Sequence, residues 1–138
     1  MSVNIPVGAL AAARRTPVAI MLCAFCMSMS ACDHGRTERE AAALAHGSPE
    51  RGKDLIKAYG CGSCHTIPGI VGADATVGPP LAGIAGRSYI AGVLTNEPDH
   101  MVRWLVDPPA VDSLTAMPRL GLTPRDAHDV AAYLYTLR

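Results

Sequence analysis

The sequence predicts a small all-α domain of about 90 residues, with three main helices joined by glycine- and proline-rich loops. Three observations predict it. Apolar residues recur at helical spacing in three separate stretches, each stretch opens on a capping residue or a proline suited to a helix start, and nothing between them alternates as a strand would.

The first helix opens at Ser48, with Pro49 at the first helical position and Glu50 in the first turn. It should run to about Tyr59, carrying Leu55, Ile56 and Tyr59 on one side, and Gly60 ends it. The second covers Pro98 to Val106, with Met101, Trp104 and Leu105 at i, i+3 and i+4, and Pro108 and Pro109 stop it. The third starts from Thr123, Pro124 and Asp126, a Thr-x-x-Asp variant of the capping box. Ala127, Val130, Ala131, Leu134 and Leu137 then follow to the end of the chain.

The N-terminal third reads differently. Arg14 and Arg15 precede an apolar run from Val18 to Met29, too short to span a bilayer but suited to the core of a signal peptide. A permanent transmembrane anchor is the competing reading. "MSAC", Met29 to Cys32, resembles a bacterial lipobox, with Met29 where that pattern prefers Leu. The resemblance implies removal of residues 1–31, lipidation of Cys32 and anchoring on the periplasmic face of the inner membrane. An ordinary cleaved signal would instead leave Cys32 as a stray thiol on a soluble periplasmic protein. The polar, alanine-rich stretch that follows has no wide apolar stripe, so residues 32–47 are expected to be a tether and residues 48–138 the domain. Fully extended, such a tether reaches at most ~50 Å.

Without residues 1–31, ten basic residues face twelve acidic ones, and nothing points to nucleic acid. Of the five cysteines, Cys23 and Cys26 leave with the signal and Cys32 is set aside by the lipobox, so Cys61 and Cys64 remain. They stand in "CGSCH", and C-x-x-C-H is the attachment signature of haem c: each thiol bonds a vinyl carbon and His65 binds iron. A thioredoxin-like dithiol would need a βαβ setting, and a structural zinc site a second close ligand pair, which His34, His46, His100 and His128 do not form. A plain disulfide leaves His65 unexplained. A domain this small, with one Trp, also needs a staple or a large apolar insert, and a tethered porphyrin is both.

The iron's other axial position has two candidates in the mature chain, Met101 and Met117. Met101 has the helical spacing of a core residue. Met117 lies in a loop ahead of the last helix, with Pro118 stiffening the approach, so Met117 is the expected distal ligand.

In this order the motifs of residues 48–138 resemble those of a class I cytochrome c of the small bacterial type. "GPPLAGIAGR", Gly78 to Arg87, is similar to the family segment in which a proline carbonyl, here Pro79, takes the proximal histidine's Nδ1 hydrogen bond. The resemblance further implies that Leu81 packs on the haem and that Arg87 lies near a propionate. "WLVDP", Trp104 to Pro108, resembles the helix end before the distal loop, and Gly52 with Tyr133 matches the family's close crossing of first and last helices. Taken alone, Pro79 could be a turn residue, Arg87 a solvated charge, and Trp104 and Tyr133 ordinary packing. Three features depart from the family: a short chain between Arg87 and Asn96, one extra residue between Gly52 and Cys61, and only two lysines, Lys53 and Lys57.

The implied function is one-electron transport by one covalent haem c, as a carrier and not an enzyme. The expected partners are membrane respiratory complexes, a terminal oxidase or a quinol-oxidising complex. The alternatives are a haem subunit of a periplasmic dehydrogenase or reductase, and a small-ligand sensor or peroxidase with a labile Met117.

Overall fold

The three expected helices form where their caps place them. In the computed structural model, which describes residues 33 and 35–138, the Ser48 hydroxyl accepts the Arg51 amide at 3.2 Å and opens α2, Pro49–Ala58. Thr123 does the same for the Asp126 amide at 3.1 Å and opens α5, Pro124–Leu134. Helix α3, Pro98–Val106, starts on its proline and buries Met101, Trp104 and Leu105. A proline at the first position lacks only a donor that the helix could not have used.

Helices α2 and α5 pack against each other, and α3 packs on α5. Their crossing needs glycine: a Cβ on Gly52 would sit inside contact distance of the Asp129 carbonyl oxygen and 3.1 Å from Tyr133 Cβ. Arg51 then ties the crossing at its rim through Asp126, at 2.6 Å, and Asp129, at 2.9 Å. Ile56, Val130, Ala127 and Ala131 fill the core beneath.

Three elements differ from the sequence expectation. First, Pro108 and Pro109 stop α3 but also begin α4, Pro108–Val111, because the Asp107 carboxylate accepts the Ala110 amide as a new N-cap. Second, the loop after Arg87 holds a two-stranded antiparallel ribbon, β1 at Tyr89–Ile90 and β2 at Leu94–Thr95. Two residues per strand are too few to show a period. Val93 N bonds Ile90 O at 3.0 Å across Ala91 and Gly92, both at positive φ, which is the tight turn that matches strand twist.

Third, most of the stretch expected as a free tether is helical. Residues 35–45 form a helix, α1, and residues 36–138 make one compact unit. No apolar stripe is required, because small side chains let the backbone come close: Ala41 and Ala45 are buried, and His128 Nδ1–H donates to the Ala45 carbonyl at 2.7 Å. Glu40 pairs with Arg138 at 3.1 Å. The expected signal peptide of residues 1–31 and the expected lipidation of Cys32 fall outside the described residues. Among the described residues no helix is long and apolar enough to cross a membrane.

Candidate functional site

Gly60, at φ 70°, ends α2 and turns the chain into a 3-10 turn over Cys61–Ser63. That turn sets Cys61 and Cys64 one after the other as free, half-buried thiols, and the His65 amide closes back on the Cys61 carbonyl at 3.1 Å. The glycine between the cysteines is structural, since a Cβ on Gly62 would come within 2.8 Å of Ala73 Cβ. Burial pushes the Cys61 thiol up, so it is protonated at neutral pH.

The chain returns past His65 at residues 78–81. Gly78 N bonds Cys64 O at 2.7 Å and Leu81 N bonds Thr66 O at 2.9 Å, which fastens Pro79 beside the imidazole. His65 Nδ1 lies 2.7 Å from the Pro79 carbonyl oxygen. A carbonyl can only accept, so Nδ1 carries the proton and Nε2 keeps its lone pair. Gly78 has no room for a side chain here, because its Cβ would approach Nδ1 to 2.7 Å.

These residues border a cavity of about 660 Å³. Cys61, Cys64, His65, Pro79, Leu81, Arg87, Trp104 and Met117 all line it, so the structure brings every site residue of the expected domain to one space. Met117 reaches it from a loop pinned by Thr115, whose Oγ1 accepts the Met117 amide at 3.2 Å, and an Arg119–Asp107 ion pair closes the loop's base. Met101, read from spacing as core, is buried and lines the same cavity. Arg87 turns inward: its Nη2 donates to the Pro80 carbonyl and, at 3.1 Å, to the Ala82 carbonyl. Tyr133 stays outside the cavity wall and donates to Pro68 O at 2.7 Å.

Sequence reading missed part of the wall. Ile67 lies in a loop and Ile84 opens a 3-10 turn, Ile84–Gly86, both too short to show periodicity, and Tyr89 to Gly92 belong to the ribbon expected as irregular chain. A paired apolar position beside a tight Ala-Gly turn is the one signal that could have pointed to them.

A porphyrin fits this donor set. The volume falls in the ~300–1,000 Å³ range of small-molecule sites. The wall is largely apolar, and its polar groups are two thiols at attachment spacing, one imidazole with its tautomer fixed, one loop thioether, the hydroxyls of Tyr59, Ser63, Tyr89 and Thr115, and the Arg87 guanidinium. Among the described residues no Asp or Glu lines it. Soft thioether and imidazole donors suit haem iron.

Comparison with known proteins agrees with that chemistry. A family model described as Cytochrome c matches residues 49–138, from the first turn of α2 to the C-terminus. Cytochrome c oxidase subunit 2 of Alkalihalophilus pseudofirmus (strain ATCC BAA-2126 / JCM 17055 / OF4) is 26% identical over 89 residues, a match covering 64% of this chain and 25% of that protein. The chain therefore spans about a quarter of the length of that curated relative. No solved structure matches.

Proposed function

The chain belongs to the cytochrome c family, and on that premise we propose that it is a membrane-tethered mono-haem carrier, passing single electrons between respiratory complexes with a terminal oxidase as acceptor. Membership makes it an electron-transfer haem protein with covalently attached haem c, and Cys61 and Cys64 stand at the attachment spacing. The bound group supplies a one-electron couple at its iron.

The chain's own residues do the rest. His65 Nε2 and Met117 Sδ would hold the group's iron. Pro79 keeps the Nδ1 proton in place, which fixes the ring and raises the basicity of Nε2. Trp104, Leu105 and Leu81 line the apolar part of the site and would exclude water from the bound group, while Arg87 is held on the Pro80 and Ala82 carbonyls. The observation that carries the carrier reading is the wall itself: an imidazole fixed by Pro79 and a loop thioether share one space with two thiols at attachment spacing.

The membrane tether rests on Cys32 and the lipobox resemblance. The compact unit begins at Arg36, so three residues separate Cys32 from it. An anchor would supply encounter with a membrane partner by local concentration. The matched relative is itself named as an oxidase subunit, which supports an oxidase as acceptor. The test is turnover with a terminal oxidase in the same vesicles. Deleting the residues up to Asp33 should cut turnover at least tenfold with little salt dependence. Unchanged and strongly salt-dependent turnover would exclude the tethered reading.

A further inference from the structure

Asn96 is half-buried between the site and the C-terminal helix, and its side chain is nearly saturated with hydrogen bonds. Nδ2 lies 2.8 Å from both the Ile84 and the Arg87 carbonyl oxygens, and Oδ1 lies 3.0 Å from the Tyr135 hydroxyl. The two carbonyls accept only, so the amide's NH2 must face them and its oxygen must take the tyrosine proton. Tyr135 is buried, and burial together with the Glu97 charge pushes its phenol up to about 12, so it stays a donor at any working pH. The Asn96 amide adds a bond to Ser88 O at 3.0 Å, and Leu137 O holds Ala85 N at 3.2 Å. The turn over residues 84–88 is thereby fastened to the end of α5.

That turn presents Arg87 to the site. Pro79 and Pro80 have no N–H, so the outer side of the 78–82 segment has no backbone donor there to fix it. Arg87 holds the segment by its acceptors instead, donating to the Pro80 and Ala82 carbonyls, which flank Leu81. Gly78 N and Leu81 N hold the segment's other side to the Cys64–Thr66 strand of chain. The carbonyl of Pro79, acceptor for His65, is clamped between the two.

We propose that Asn96, oriented by Tyr135, is a positioning residue for His65: it braces the turn from which Arg87 clamps the Pro80 and Ala82 carbonyls, and so keeps the Pro79 carbonyl on the His65 Nδ1 proton. The inference rests on His65 being an iron ligand. Removing the brace loosens the Pro79–His65 bond, the Nδ1 proton exchanges faster, and the imidazole becomes a weaker donor. A weaker donor stabilises the ferric form less, so the reduction potential rises.

The test uses the haem-loaded protein, with His65 Nδ1 proton exchange followed by NMR in the ferrous form and the potential by redox titration. Asn96→Ala should speed exchange at least tenfold and shift the ferric/ferrous equilibrium about threefold toward ferrous, about 28 mV at 59 mV per decade. Asn96→Asp keeps the acceptor for Tyr135 but loses both donors, and should behave like Asn96→Ala. Tyr135→Phe retains the buried ring, should fold in any case, and should shift both readouts in the same direction by less. Arg51→Ala, which breaks ion pairs at the α2–α5 crossing, should lower thermal stability and leave both readouts unchanged. If the Asn96 and Tyr135 variants behave like Arg51→Ala, the brace is only structural and the proposal is overturned. A wild-type ferric spectrum without iron-shifted His65 resonances would overturn the axial assignment itself, before any variant is made.

Discussion

Replacing both attachment cysteines, Cys61→Ala with Cys64→Ala, removes the means of holding the porphyrin and should leave the domain largely unfolded. The magnitude follows from the cavity. At about 24 cal/mol per Å³ of hole, a volume of about 660 Å³ sets an upper bound of about 16 kcal/mol, because part of the space opens to solvent. A domain of this size has only ~5–15 kcal/mol of stability in total. If collapse recovers half the volume, the bound becomes about 8 kcal/mol, which is still the scale of the whole folding free energy. The assay is direct, because Trp104 is the chain's only tryptophan and lines the cavity. Its emission should shift to that of an exposed indole, and the far-ultraviolet helical signal should fall with no cooperative thermal transition. A haem-free double variant that keeps its helices and melts cooperatively would refute the claim that the inserted group carries most of the core.

Further outcomes concern the scaffold and the iron's ligands. Gly52→Ala should cost about 2 kcal/mol, roughly 8–16 °C in melting temperature, because overpacking against the Asp129 carbonyl and Tyr133 outweighs the helix-propensity gain. Gly86→Ala, where a Cβ meets nothing within 4 Å, should be neutral or slightly stabilising. Met117→Ala should lower the reduction potential and admit exogenous ligands to the iron, and an unchanged spectrum would move the distal role to another residue. Hydrogen bonds from Thr123 and Tyr59, then the Arg51 charge, hold the Asp126 carboxyl below the usual carboxylate range. Its contribution is therefore complete above the ordinary carboxylate pKa and is lost as pH falls through the depressed one, so Asp126→Asn should flatten the acid limb of a melting-temperature profile.

The helices were legible because each carries its own instructions. Ser48, Thr123 and the three prolines at helix starts are local signals, and local signals survive without tertiary context. The attachment residues were legible for the same reason, since Cys61, Cys64 and His65 are adjacent in the chain. What stayed hidden depends on distance. The docking of α1 comes from His128 meeting the Ala45 carbonyl 83 residues away, and two alanines give no warning of it in composition. The ribbon is too short to show alternation. Arg87 was expected beside an acidic group on the haem, and its two bonds to backbone carbonyls arise from the chain's own return path past His65.

The central claim is that His65 and Met117 fill both axial positions, so that the iron exchanges electrons and binds no substrate. Carbon monoxide added to the ferrous protein at neutral pH tests it most directly. The account predicts an unchanged visible spectrum in the wild type and a shifted one in Met117→Ala. A wild-type protein that binds carbon monoxide readily would contradict the carrier and point to a haem site that works on small ligands.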